Sequence, residues 1–362
     1  MIHAAQTARG ALALVMAFAC YLLFMDYLLY SRTQNYAIRP IKSEKKYEGK
    51  IPCDIDPFCV VTVKALMLDY PNLYILSPLA AGMDRILGIS SKWSWVTPNI
   101  ISGFHVLVAA LAGCCVASCN LSERRLGVLF FELRTWLDDL DGHVARQRKH
   151  INGEHSDIGS AGYWIDGICD ALGCIALLVG VFHFLKKNPL RRGYDKLYRI
   201  HSCVENQDNN FDAVAKRMRY RVVLCNIFLV VGHLLIVSIG WNRYISLYQD
   251  LLEGDSNLPS ITKDELYTRQ SEVMRSGFFW IVTVAWRLIN FHSAVDYLLI
   301  AIFIDRLWEY ARFIKWFGYI LPLMMVYITE FHFLQSYAYV LRGSDLITSA
   351  ETLQNLTEIF DN

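Results

Sequence analysis

Four aspartates, Asp138, Asp141, Asp166 and Asp170, lie between two apolar stretches of the chain. On helices, the spacing of three between the first two and of four between the last two puts each pair on one helix face. Two helices packed along these faces bring four carboxylates together. Such a cluster repels itself unless cations neutralise it. The spacing therefore predicts bound divalent cations, such as Mg²⁺, which carboxylates usually hold together with substrate phosphates.

The residues that follow Asp141 indicate what such cations would act on. Two cations side by side neutralise a diphosphate and stabilise the leaving oxygen of an in-line displacement. Gly142 and Ala145 lack bulk, which would let a nucleotide approach the helix backbone, and the Arg146 guanidinium is suited to pair with phosphate. The residues alone therefore indicate metal-assisted phosphoryl transfer.

Hydropathy predicts the helices that carry these residues. Apolar residues make up 54% of the 362-residue chain, which indicates an all-α, polytopic membrane helical bundle. A net charge of +1 excludes a nucleic-acid-binding tail. The first apolar run is interpreted as an anchor, since a cleaved signal peptide would need a small-x-small site after it. We predict spans at 11–30, 99–119, 124–146, 160–185, 222–241, 277–304 and 313–341.

The span 124–146 is interrupted by charge. It tolerates Glu132 and Arg134 only if these side chains face protein or water. They either support the aspartates or form a structural ion pair within the membrane. Three more polar residues in later spans either shape the acceptor pocket of the transfer or form interhelical hydrogen bonds: Arg287, Asp296 and Glu330.

The distribution of charge predicts how the chain is oriented. Loop 186–221 carries ten Lys and Arg against four Asp and Glu, and the segments 124–125 and 306–315 are basic too. With seven spans these three segments lie on one side of the membrane. The acidic loop 242–276 and the C-terminal tail lie on the other. Because Lys and Arg concentrate on the cytoplasmic side, the basic segments are predicted to be cytoplasmic.

The loop after span 124–146 is then lumenal, as is the aspartate motif beside it. Cys53, Cys59 and the glycosylation sequon at Asn355 fall on the same side, which fits an oxidising compartment. A disulfide between the two cysteines is left open, and the sequon at Asn120 would be cytoplasmic and unused. The segment 31–50 disagrees, with six Lys and Arg, but its loop exceeds the length over which the rule holds.

The motif resembles the signature of the CDP-alcohol phosphatidyltransferase family. That signature places Asp, Asp-Gly and Ala-Arg before Gly, Asp and Asp at fixed spacing within each half. The matching residues are Asp138, Asp141, Gly142, Ala145, Arg146, Gly162, Asp166 and Asp170. The resemblance covers roughly residues 95–342, and the Pro98-Asn99 pair is similar to the family's entry to its first span. It implies a six-span core plus an added N-terminal helix.

The resemblance implies a role for each matching residue. The four aspartates are expected to ligate two divalent cations, Mn²⁺ or Mg²⁺, and Asp170 to deprotonate the acceptor hydroxyl. The CDP pocket is expected to be lined by Gly142, Ala145, Arg146, Gly162 and Asn99. The implied division of the chain is an anchor with its lumenal loop at 1–97, the catalytic membrane domain at 98–342 and a tail at 343–362.

The chain departs from the family in its spacer, 147–161, which is longer than usual. Together with the added N-terminal span, this looks like the insect-type branch that moves phosphoethanolamine from CDP-ethanolamine to ceramide in the Golgi lumen. Two alternatives stay open: transfer to diacylglycerol at a cytosolic site in the endoplasmic reticulum, and a non-catalytic membrane scaffold. The resemblance also implies a homodimer among membrane lipids. Nothing in the sequence identifies the head group.

Overall fold

The computed structural model describes residues 2–36, 55–151, 153–154, 160–188, 208–254 and 261–342. All regular elements in these ranges are helical, which confirms the all-α class. A single π-helical turn covers Asn72–Leu76. The helices are α1 (Ile2–Gln34), α2 (Val63–Met67), α3 (Ser77–Leu87), α4 (Ile89–Lys92), α5 (Pro98–Val116), α6 (Leu121–Arg148), α7 (Ala161–Lys187), α8 (Asp208–Leu252), α9 (Lys263–Arg275), α10 (Gly277–Ile289), α11 (Phe291–Phe303), α12 (Leu307–Phe317) and α13 (Ile320–Arg342).

Within the described ranges, five segments are long and apolar enough to cross a membrane, and a bent pair makes a sixth. The five are Ala13–Gln34, Pro98–Val116, Ala161–Lys187, Tyr220–Leu252 and Gly277–Phe303, and the bent pair is α12 with α13. α6 is not among them because its charged residues lower its hydropathy, as the sequence predicted. Its 28 residues nevertheless exceed the roughly 20 that a bilayer requires. The chain is a multi-pass membrane protein.

The predicted span 277–304 is confirmed as Gly277–Phe303, although it consists of two helices, since the Asn290 side chain accepts a 2.8 Å hydrogen bond from the Ser293 N–H and so starts α11. Two other predicted boundaries were wrong. Span 313–341 begins earlier and bends by 45° between α12 and α13. The predicted loop 242–276 is mostly helical, because α8 continues to bury Tyr248 and Leu252 before it ends.

Small residues bring α5 close to both of its partners, α6 and α7. A Cβ atom on Gly113 of α5 would collide with the Ala176 carbonyl of α7, and one on Gly180 would collide with the Gly113 carbonyl. A Cβ on Gly127 of α6 would lie 2.9 Å from the Ala112 carbonyl oxygen. Close backbone approach through small residues is typical of packed membrane helices. This close packing fixes the relative positions of α5, α6 and α7, which carry the predicted site.

The N-terminal residues pack into the same bundle. Arg287 of α10 is fully buried; it donates to Asp26 of α1 at 2.5 Å and to the Leu66 carbonyl of α2 at 2.7 Å. Tyr70 and Tyr74 also donate to Asp26, at 2.9 and 2.6 Å. Burial and the neighbouring Asp26 raise the pKa of Tyr70 to about 12, so it stays a donor. Arg287 therefore ties α1 and α2 to the core through interhelical hydrogen bonds, one of the two roles that the sequence left open for it.

Cys59 is bonded in a disulfide. The other described cysteines are free, so its partner lies outside the described residues, as Cys53 does. The sequon at Asn355 and the C-terminal tail also lie outside them.

Candidate active site and metal centre

The predicted site lies where α6 ends and α5 and α7 begin. Thr97 caps α5 by accepting a hydrogen bond from the Ile100 N–H at 3.3 Å, and Ser160 caps α7 by accepting from the Tyr163 N–H at 3.2 Å. α5 packs against both α6 and α7, and α6 runs in the opposite direction to α5. The first turns of α5 and α7 therefore meet the last third of α6, where the first aspartate pair lies.

Four side chains from these three helices converge. One ligand atom from each of His105, Asp138, Asp166 and Asp170 lies within 4.8 Å of all the others; we call this set the His-Asp cluster. His105 Nε2 is 3.6 Å from Asp138 Oδ1. The structure thus brings together three of the four predicted aspartates and adds a histidine from α5.

The fourth aspartate, Asp141, lies at the edge of the cluster. Its Oδ2 is 3.9 Å from His105 Nε2 and accepts a 2.6 Å hydrogen bond from the Ser102 hydroxyl. Asp141 and Ser102 are both buried. The Ser102 contact fixes the rotamer of Asp141 and leaves its Oδ1 for another partner.

The cluster has the properties of a divalent-cation site. Asp138 Oδ1, Asp166 Oδ1 and both ring nitrogens of His105 are buried without a hydrogen-bond partner among the described residues. Buried polar atoms are normally satisfied, and clustered carboxylates repel one another. Cations held by these oxygens and by the imidazole would satisfy both requirements. The donor set fits hard cations that prefer oxygen, with one nitrogen added.

Arg134 is the cation already present beside the cluster. It is buried at 4% exposure, donates to Asp170 and lies 3.9 Å from Asp138 Oδ2. The sequence left two roles open for Arg134, support of the aspartates or a structural ion pair. The structure places it against two of the predicted ligands, so the ion pair it forms is part of the site. A single guanidinium balances only a fraction of the charge of four carboxylates.

The predicted nucleotide-binding residues surround one cavity of about 1500 Å³, which also contains the four aspartates; we call it the central cavity. Its lining includes Asn99, Gly142, Ala145, Arg146 and Gly162. A Cβ on Gly142 would lie 3.1 Å from the Arg146 guanidinium, and one on Gly162 would meet nothing within 4 Å. These small residues therefore leave space beside the cluster.

Arg146 has a partner that the sequence did not predict. Its guanidinium donates to Glu154 at 2.6 Å, and Glu154 belongs to the long spacer. The backbone carbonyl of Glu154 in turn accepts a 2.8 Å hydrogen bond from Thr62, which precedes α2. The spacer thus joins Arg146 to the N-terminal segment.

Sequence reasoning missed Ser102 and His105. Both lie on α5, spaced by three, on the face that also carries Ala109 and Ala112. The signal was present as two polar residues one turn apart at the start of an otherwise apolar span. A lone histidine in such a span is ambiguous until its neighbours are known.

Comparisons with known proteins show the family of this chain. The family model described as ceramide phosphoethanolamine synthase matches residues 1–343. The chain is 45% identical over 294 residues to ceramide phosphoethanolamine synthase of Drosophila melanogaster, covering 81% of this chain and 73% of the relative. No solved structure matches it significantly. The resemblance to the insect-type branch is confirmed, and the chain belongs to the ceramide phosphoethanolamine synthase family.

Proposed function

We propose that this protein transfers phosphoethanolamine from CDP-ethanolamine to the primary hydroxyl of ceramide and releases CMP. The observation that carries the proposal is the His-Asp cluster, whose three aspartates line a cavity of about 1500 Å³, a volume that can hold a nucleotide and a lipid head group together. The name of the Drosophila relative supports ceramide as the acceptor. With ceramide as the acceptor, the proposed reaction differs from the alternative in which diacylglycerol is the acceptor.

The four aspartates would hold two divalent cations, with His105 able to supply a nitrogen ligand from α5. When bound, Mn²⁺ or Mg²⁺ supplies Lewis-acid stabilisation of the diphosphate and of the leaving oxygen. The buried, unpaired oxygens of Asp138 and Asp166 support this assignment. Arg134 holds Asp170 and lies beside Asp138, so it keeps these two carboxylates in place before substrate binds.

The transfer needs one nucleophile, one base and one leaving group. The ceramide hydroxyl oxygen forms a bond to the β-phosphorus, and the bond from that phosphorus to the CMP oxygen breaks with its electron pair on CMP. Asp170 accepts the hydroxyl proton. Since one Asp170 oxygen already accepts a hydrogen bond from Arg134, the other is assigned to the proton. No covalent intermediate with the protein is required.

The nucleotide is assigned to the part of the central cavity that Asn99, Gly142, Ala145, Arg146 and Gly162 line. Gly142 and Ala145 would admit the diphosphate close to α6. Arg146 is paired with Glu154 at 2.6 Å. A phosphate that binds the Arg146 guanidinium must therefore displace Glu154 or share the guanidinium with it. Bidentate pairing with phosphate is the chemistry for which arginine is best suited.

The cavity is proposed to face the lumen of the Golgi. Cys59 is bonded in a disulfide, and such bonds persist in oxidising compartments. Its segment contacts the spacer beside the cavity, since a Cβ on Gly153 would lie 2.8 Å from the Val60 side chain and Thr62 donates to Glu154. These contacts support a lumenal position for both the disulfide segment and the spacer beside the cavity. The homodimer stays a prediction.

The test is a transfer assay with purified protein. Labelled CDP-ethanolamine is supplied with Mn²⁺ or Mg²⁺, and ceramide and diacylglycerol are offered together. Label in the ceramide product alone is the expected result. Label only in the diacylglycerol product would replace the proposed acceptor while leaving the cation site as the explanation of the aspartates. No transfer to either lipid with correctly folded protein would favour the scaffold.

A further inference from the structure

Lys64 lies on the wall of the central cavity, although it belongs to the N-terminal segment and not to the aspartate motif. It is the half-buried member of α2, whose other four residues, Val63, Ala65, Leu66 and Met67, are buried. α2 is therefore packed into the core on every side except the one that carries Lys64. The lysine is the part of this helix that faces the site.

The backbone around Lys64 is held by three side chains that are distant in sequence, two from α8 and the residue that follows it and one from α10. Glu253 accepts from the Val63 N–H at 2.7 Å, and Arg287 donates to the Leu66 carbonyl at 2.7 Å. Trp241 donates to the Met67 carbonyl at 2.8 Å. A five-residue helix is unstable alone, so these contacts keep it in place. These contacts fix the backbone of Lys64, while its long side chain stays flexible.

Lys64 is also available. Among the described residues it forms no hydrogen bond or ion pair, although its ammonium interacts electrostatically with Asp166 and His292. The other basic residues of the cavity wall are engaged: Arg146 with Glu154, Arg148 with four backbone carbonyls, and Lys149 with a partner of its own. Lys64 is thus the cation that a ligand meets without first breaking a contact.

We propose that Lys64 binds the diphosphate of the CDP-alcohol donor and so completes the nucleotide site from outside the aspartate motif. The inference rests on the proposed function. A diphosphate brings negative charge into a cavity that already holds several carboxylates, so it requires more cations than the metal site alone. An ammonium is a compact, strongly hydrated charge that suits a phosphate oxygen. Because α2 is held in place, that charge stays on the wall of the cavity that Asp166 also lines.

The test compares Lys64→Met, which keeps the length of the side chain, with Lys64→Arg, which keeps its charge. Lys92→Met is the matched control, since Lys92 is exposed and does not line the cavity. We expect the KM for CDP-ethanolamine to rise about 10- to 100-fold in Lys64→Met. We expect a smaller rise in Lys64→Arg, and no change in the KM for ceramide.

Binding is measured separately from turnover. In the presence of Mg²⁺, we expect CDP-ethanolamine to raise the melting temperature of wild type and of Lys92→Met. We expect most of this rise to be lost in Lys64→Met. Two results would overturn the inference about Lys64: a rise in the melting temperature of Lys64→Met with CDP-ethanolamine that is as large as that of wild type, or a change in the KM for ceramide alone. If wild type binds the nucleotide but transfers nothing to ceramide, the proposed function fails and the binding data still decide the role of Lys64.

Discussion

Asp138 is the residue on which the site centres. It lies on α6 between His105 of α5 and the aspartates of α7, 3.6 Å from His105 and 3.9 Å from Arg134. Its Oδ1 is buried without a hydrogen bond in the described structure. Such an atom costs roughly 1–3 kcal/mol or more when it is charged. A cation bound by Asp138, as proposed above, would satisfy this oxygen.

Asp138→Asn is therefore expected to have opposite effects with and without metal. Without metal it removes a charge from a repulsive cluster, so the melting temperature should stay the same or rise. With Mn²⁺ or Mg²⁺, wild type should gain stability and the variant should not. Transfer activity should fall by about 10³-fold or more, as expected for the loss of a metal ligand at a metal-dependent centre. Melting curves with and without the cation decide this, and equal stabilisation of both proteins would contradict the metal assignment.

His105 gives a second prediction at the same scale. It is fully buried, and both of its ring nitrogens lack a hydrogen-bond partner among the described residues. We expect His105→Gln to weaken the apparent affinity for Mn²⁺ by about 10- to 100-fold, the range for residues that support or complete a metal site. His183→Gln is the control, since that histidine is exposed, lies outside the His-Asp cluster and hydrogen-bonds to the Val179 carbonyl. The apparent affinity of each variant is measured by following activity and melting temperature as Mn²⁺ is added. If the affinity of His105→Gln equals that of wild type, His105 does not take part in the metal site.

The sequence predicted the four aspartates because their spacing alone puts them on helix faces. It did not predict that Arg146 pairs with Glu154, because that contact depends on how the spacer folds back over α6. Ser102 was missed for a related reason: a serine in an apolar helix usually bonds its own backbone, and only the position of Asp141 shows its second partner.

The element that positions the site is the crossing of α5 and α7. Gly113 and Gly180 contact each other's helices so closely that a side chain at either has no room. The same two helices carry His105, Asp166 and Asp170 toward one end. A shift at the crossing therefore moves ligands on both sides of the His-Asp cluster.

Gly113→Ala and Gly103→Ala form a matched pair on α5. The new methyl group at 113 collides with the Ala176 carbonyl, whereas at 103 it meets nothing within 4 Å. Gly113→Ala is expected to lower the free energy of unfolding by about 1–3 kcal/mol and to reduce transfer activity. Gly103→Ala should be neutral or slightly stabilising, because alanine has the higher helix propensity. Thermal unfolding in detergent measures both. Equal stability of the two variants would show that α5 and α7 are not packed this tightly.

Hydropathy predicted most of the membrane-spanning segments of the described residues, but it did not predict the helix breaks. The sequence gives no local sign that Asn290 ends one helix and starts the next, since the residues on both sides are apolar. The Asn290 amide also donates to the Met67 carbonyl at 3.2 Å. The break is thus stabilised by a contact with the N-terminal segment, 223 residues away in sequence.

At the scale of the molecule, the N-terminal segment is joined to the catalytic bundle. Leu29, Leu66 and Met67 pack in one hydrophobic core with Tyr248 and Trp286. The Asp26–Arg287 ion pair reinforces this core, and removal of one partner of such a buried pair typically costs about 3–5 kcal/mol. Hydropathy predicted an N-terminal anchor followed by a long extramembrane loop. The packing that joins it to the site depends on contacts between residues far apart in sequence.

The last prediction concerns the side of the membrane that the site faces. Asn120 caps one end of α6 and the aspartates lie toward the other. A 28-residue helix is about 42 Å long, more than the hydrocarbon thickness of about 30 Å. With seven spans the C-terminus lies on the same side as the aspartates, and the N-terminus lies on the opposite side. A lumenal site therefore requires a lumenal C-terminus and a cytosolic N-terminus.

The same epitope placed after Asn362 or before Met1 tests this in sealed Golgi vesicles. We expect protease to remove the N-terminal epitope and to spare the C-terminal one until detergent is added. Removal of an N-linked glycan should shift the wild-type protein and the Asn120→Gln variant on a gel, but not Asn355→Gln. Digestion of the C-terminal epitope in intact vesicles, or a glycan on Asn120, would put the site in the cytosol. The disulfide at Cys59 would then need another explanation, because its segment contacts the spacer beside the cavity and the cytosol keeps thiols reduced.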